Sequence, residues 1–162
     1  MNIVRNKLKI NIIHEKKIMG EDIVVAVLDS GIANHPDFEN RIVLFKDFTK
    51  ERSFDEIAEN KVYDDEGHGT HVAGIIGGNG NLSKGVFKGI APKSNLVSLK
   101  VLDKTGRGIE ENVIDGIHWI IDNGKSYGIK IVNISFGTLG NEKDENKRLL
   151  KEVELLWDLG YI

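Results

Sequence analysis

Residues 23–28, Ile-Val-Val-Ala-Val-Leu, form an unbroken apolar run that ends at Asp29-Ser30-Gly31. A branched run of this length predicts a strand buried on both faces, as in a parallel sheet. Residues 96–102 (Leu-Val-Ser-Leu-Lys-Val-Leu) and 129–134 (Ile-Lys-Ile-Val-Asn-Ile) read the same way. Between the last two, Ile109, Val113, Ile114, Ile117, Ile120 and Ile121 recur at helical spacing. Glu110 and Glu111 fall in the first turn of that helix, where the macrodipole favours carboxylates. Gly124 or Gly128 is the expected stop. A strand–helix–strand unit of this kind predicts an α/β fold, a three-layer parallel sheet with helices on both faces and right-handed crossovers.

A second helix is predicted from about Glu142 to Asp158, with Leu149, Leu150, Val153, Leu156 and Trp157 as its apolar stripe and Gly160 at the C′ position. Tyr161-Ile162 then read as the first residues of another strand. On this reading the sheet is truncated before its last strands. Residues 1–19 form an N-terminal extension and 20–162 a partial domain. The stretch Gly77-Gly78-Asn79-Gly80-Asn81 is a loop. It lacks a third glycine at dinucleotide-fingerprint spacing and a preceding strand, which removes a nucleotide-binding reading.

Composition narrows the class. The chain has 162 residues, 40% hydrophobic and 29% charged, which fits one ordinary globular domain. A net charge of -3 supplies no basic surplus for nucleic acid. With no cysteine, disulfides, thiolate metal sites and Cys nucleophiles are excluded. The first 17 residues never place more than two apolar residues in succession, so they lack a signal-peptide core. No stretch approaches the ~20 apolar residues of a spanning helix. The expected setting is the cytoplasm, with no membrane partner.

Two polar residues stand out. Asp29 falls at the carboxyl end of a predicted buried strand, the edge where open α/β sheets gather ligands. By itself it reads first as a turn-initiating Asp after a strand. His68 lies in Asp64-Asp65-Glu66-Gly67-His68-Gly69-Thr70-His71-Val72-Ala73-Gly74. Flanking glycines allow a tight loop around its imidazole. An imidazole at a helix start works as a general base when a carboxylate fixes its tautomer. His71 reads as a local packing or capping residue.

The blocks Asp29-Ser-Gly-Ile-Ala-Asn-His-Pro-Asp37, Gly67-His-Gly-Thr-His-Val-Ala-Gly74, Gly89-Ile-Ala-Pro92, Lys100-Val-Leu102 and Val132-Asn-Ile-Ser-Phe-Gly137 resemble the subtilisin-like serine proteases, in that family's order and approximate spacing. The style is that of the intracellular bacterial members. The resemblance covers about residues 20–162 and implies a serine endopeptidase, a hydrolase acting on extended peptide or protein substrates. It implies that Asp29 orients the histidine and that His68 is the general base, then the general acid. It implies that Ser135, Phe136 and Gly137 pair with substrate as an added strand, and that Gly106, Arg107 and Gly108 form the opposite rim of the cleft. No cofactor is required. Calcium enters only as a structural ion at Asp37, beside a loop (Ile75 to Lys88) that is longer and differently composed.

The resemblance also implies a nucleophilic Ser about 150 residues beyond the His, and an Asn donor to the oxyanion. None of Ser30, Ser53, Ser83, Ser94, Ser98, Ser126 and Ser135 has the matching surroundings. The isolated chain is therefore expected to be inactive. Three readings follow: one half of a split protease completed by a C-terminal fragment carrying the Ser; a non-catalytic remnant or peptide-binding module; or a metal hydrolase built on Asp64, Asp65, His68 and His71.

Overall fold

The computed structural model describes residues 2–49, 61–137 and 147–162. Two short helices, α1 (Asn2–Lys7) and α2 (Ile10–Glu15), precede the first strand. Strands β1 (Val24–Asp29), β2 (Ile42–Asp47), β3 (Asn95–Lys100) and β4 (Ile129–Ile134) form a sheet in the order β2-β3-β1-β4. Each pairing is parallel. Helix α3 (His68–Gly77) joins β2 to β3, α4 (Glu110–Asn123) joins β3 to β4, and α5 (Lys147–Asp158) follows β4.

The apolar run predicted as a two-faced strand is β1, and all six of its residues are buried. Alternation divides it between two cores. Ala26 and Leu28 pack with Val97, Leu99, Val113, Ile117 and Ile120 toward α4, while Val25 and Val27 pack with Leu96, Val72 and Ala73 toward α3. Helices on both faces make the three layers expected of the sequence.

Helix α5 differs from its expected stripe. Leu156 is buried and Leu149 packs on the α4 side, but Leu150 and Trp157 are exposed. The helix packs chiefly against α4. His118 pairs with Glu152 at 2.9 Å, and the Leu149 N–H donates to Glu110 at 3.2 Å. Residues 142–146 of that prediction lie outside the described residues. Gly160 takes the C′ position: its N–H bonds the Trp157 carbonyl, and the Tyr161 N–H reaches back to Leu156, the Schellman pattern. Ile162 then donates to the Lys130 carbonyl at 3.1 Å and accepts from the Val132 N–H at 2.8 Å. Those are parallel-ladder bonds on the outer edge of β4, where the sequence places a further strand. No helix among the described residues is long and apolar enough to cross a membrane.

Candidate active site

Parallel register sets the site. Asp29 ends β1 opposite Lys100 of β3, while Leu28 lies opposite Ile134 of β4. The chain therefore leaves the sheet on both sides of Asp29. One exit leads through Val101 to Gly106, Arg107 and Gly108, and the other to Ser135, Phe136 and Gly137. Asp103 shapes the first segment, its carboxylate accepting the N–H groups of Thr105 and Arg107 at 2.7 and 3.0 Å. In the second, Ser135 Oγ accepts from Asn133 Nδ2 at 2.9 Å, and Phe136 packs against the α4-side core.

His68 opens α3 and meets Asp29 across the top of β1. Its Nδ1 lies 2.8 and 2.9 Å from the two carboxylate oxygens. A carboxylate only accepts, so Nδ1 carries the proton and Nε2 is left with the basic lone pair. Asp29 is fully buried and also takes the Ser30 N–H at 2.7 Å, whereas the His68 side chain is 44% exposed. The bond to Asp29 raises the imidazole pKa above its ordinary value. Partial burial opposes this, and the charges of Asp29, Glu66 and Asp64 reinforce it.

Two glycines allow this approach. Gly67 caps α3 at φ 104°, a backbone region that L side chains rarely occupy. Gly69 runs against β1 so closely that a Cβ there would sit 2.2 Å from the Gly31 carbonyl oxygen and 3.1 Å from the Asp29 Cβ.

Asp64 ties the start of α3 to the end of β1, a role that sequence reasoning missed. One carboxylate oxygen accepts from Ser30 Oγ (2.9 Å) and the Gly67 N–H (2.8 Å). The other accepts from the Thr70 N–H (2.8 Å) and Thr70 Oγ1 (2.6 Å). It thus caps the start of α3 and ties it to the end of β1. A cap signal, Asp just ahead of a helix opening at His68, was present in the sequence. Glu66 adds a second cap, accepting the His68 N–H at 2.7 Å.

The metal-hydrolase reading does not survive these contacts. Asp64 is spent on α3, Asp65 pairs with Lys100 at 2.8 Å, and His68 holds Asp29, while His71 is exposed on α3. Among the described residues no group of three or more His, Cys, Asp or Glu is placed to hold a metal ion. At Asp37, one carboxylate oxygen accepts the Leu82 N–H at 2.9 Å, and Arg41 sits on the Asp37 carbonyl at 2.6 Å. Calcium takes six to eight oxygens. No role below runs through calcium.

A buried carboxylate and an imidazole are thus paired at the carboxyl edge of a parallel α/β sheet. The subtilase family model matches residues 20–158. The chain is 35% identical over 150 residues to the serine protease AprX of Bacillus subtilis, covering 90% of this chain and 32% of that protein. It is 39% identical over 124 residues to the major intracellular serine protease of the same organism, covering 75% and 36%. A solved structure described as a cold-adapted subtilisin-like serine proteinase matches with a TM-score of 0.63 at 28% identity, over 85% of this chain and 44% of that one. The chain belongs to the subtilase family. It spans about a third of the length of these curated relatives.

Proposed function

We propose that the chain supplies the acid–imidazole half of a serine endopeptidase, with Asp29 orienting His68 and His68 moving the proton, and that it does not cleave peptides by itself. The observation that carries this is the pair of contacts from His68 Nδ1 to the buried Asp29 carboxylate, which leaves Nε2 as the base. The serine adjoining the pair is not a nucleophile in waiting. Ser30 Oγ is buried, donates to Asp64 and accepts the Gly69 N–H at 2.9 Å. The attacking hydroxyl and the oxyanion donor are then supplied by a C-terminal fragment carrying the Ser. Residues 20–162 act as a partial peptidase domain and 1–19 as an extension. The substrate is an extended peptide or protein strand lying between Gly106–Gly108 and Ser135–Gly137, whose places beside Asp29 support that role. The likeness to an intracellular relative supports a cytoplasmic setting.

The test uses the purified 162-residue chain, a serine-directed phosphonate and denatured casein. No labelling and no hydrolysis are expected. Adding a second polypeptide that carries the remainder of a related catalytic domain is expected to restore both. Stoichiometric labelling of the chain alone overturns the proposal. If labelling stays absent with the second polypeptide while fluorescence polarisation shows extended peptides bound, the chain is a peptide-binding module instead.

A further inference from the structure

The buried cation beside the pair has no part in the chemistry above. Lys100, the last residue of β3, is fully buried. Its Nζ donates to three oxygens: the Ser30 carbonyl at 2.8 Å, the Leu102 carbonyl at 2.6 Å, and Asp65 Oδ1 at 2.8 Å. The ammonium also sits 5.6 Å from the centre of the Tyr63 ring. A buried ammonium is costly unless each of its three donors is met, and here each is.

Those three oxygens belong to the three segments that build the site. Ser30 directly follows Asp29. Asp65 lies three positions before His68, in the segment that enters α3. Leu102 heads the segment running to Gly106–Gly108, and its own N–H and that of Val101 bond the Asp29 carbonyl at 3.2 and 2.9 Å. The three segments lie far apart in sequence, and one nitrogen joins them at one point.

We infer that Lys100 is the positioning residue of the Asp29–His68 pair: its ammonium clamps the end of β1, the approach to α3 and the root of the 103–108 rim, so that the imidazole meets the carboxylate at hydrogen-bond distance. It touches neither substrate nor the reacting atoms. The inference rests on the pair having the role proposed above, but its test reads the pair itself and needs no turnover.

Removing the clamp and removing a nearby positive charge act on His68 in opposite directions. Loss of a cation favours the imidazolium and raises the pKa. A loosened bond to Asp29 lowers it. In the 162-residue chain, NMR titration of the His68 ring is expected to show Lys100→Met lowering the pKa toward the ordinary imidazole value. The downfield Nδ1–H signal is expected to broaden or vanish. Lys100→Arg, which keeps the charge and several N–H donors, is expected to restore part of both. A raised or unchanged pKa with the Nδ1–H signal intact overturns the inference.

Should Lys100→Met fail to fold, Asp65→Asn gives the second reading, since Asp65 is partly exposed. Solvent exchange of the His68 Nδ1–H is then expected to quicken several-fold. An unchanged exchange rate overturns the clamp. Failed complementation with these signals intact refutes the proposed activity and leaves Lys100 in place, so the two failures are distinguishable.

Discussion

Ser30 Oγ and Asp64 lie 2.9 Å apart although 34 residues separate them. That bond closes the distance between the end of β1 and the start of α3, and so between Asp29 and His68. Asp64→Ala strands the Gly67 and Thr70 N–H groups and two hydroxyls. The expected loss is about 2 kcal/mol of stability, from denaturant unfolding followed by circular dichroism. A loss near zero would mean that water replaces the carboxylate without cost.

The same residue contributes to the acid side of the stability profile. Burial works to raise the Asp64 pKa, but hydrogen bonds from Thr70, Gly67 and Ser30 outweigh it and hold the carboxyl below its ordinary value. A depressed carboxylate stabilises the fold above the unfolded value of about 3.9, and that contribution is lost as pH falls through the lower folded value. Asp64→Asn is therefore expected to flatten the acid side of the stability profile while leaving the region above about pH 5 parallel to wild type. Thermal melts from pH 2 to 7 check this.

For His68 the sign is reversed. Its folded pKa is raised, chiefly by the bond to Asp29. The stabilisation is complete below the unfolded value of about 6.5 and is lost as pH climbs through the higher folded value. Asp29→Asn is expected to lower the His68 midpoint measured by NMR and to erase that neutral-to-alkaline decline. A decline that persists in Asp29→Asn points to another group.

Gly69→Ala puts a methyl group into the Gly31 carbonyl oxygen, a backbone atom that cannot swing aside. The expected cost is about 3 kcal/mol, with the Asp29–His68 bond disturbed even where the chain still folds. Gly67→Ala meets no atom within 4 Å and carries only the strain of its positive φ, so it is expected to be the milder of the two. Urea midpoints for the pair of variants decide the order.

Leu150 and Trp157 are exposed on α5, and exposed Ile162 lies just beyond it on the outer edge of β4. An apolar surface beside a strand edge promotes association. The 162-residue polypeptide is expected to self-associate at micromolar concentration, with light scattering after size exclusion as the measure. Trp157→Lys is expected to reduce it. A monodisperse monomer contradicts the prediction.

How far the sequence disclosed the structure follows from burial. Strand β1 was legible because burial on both faces forces every residue to be apolar. Helix α4 was legible because one face meets the core at regular spacing. Strand β2 gave no signal: it forms one margin of the sheet, and Val43, its second residue, is exposed. Helices α1 and α2 went unseen because their apolar residues mostly face outward, with Ile10 buried and Ile3, Val4, Ile12 and Ile13 exposed. Asp29 and His68 were found through local motifs. Asp64 and Lys100 also reach Ser30, 34 and 70 positions away, and spacing carries no record of such distant contacts. A lysine inside the apolar run Leu-Val-Ser-Leu-Lys-Val-Leu was nonetheless a signal, because a charge in a buried strand requires a partner.

The strand order β2-β3-β1-β4 has a consequence for synthesis. Strand β1 leaves the ribosome first of the four, yet both of its neighbours are encoded later. Lys100, which ties down the Ser30 carbonyl, lies 70 residues further on. At ordinary translation speeds the wait is roughly 4 to 14 seconds. Throughout that interval Val-Val-Ala-Val-Leu is an unpaired apolar ribbon on the nascent chain, a target for chaperones that bind extended hydrophobic segments and for any other exposed strand nearby. Asp29, which meets His68 only after α3 has formed, thus begins its life at the end of that unpaired apolar ribbon.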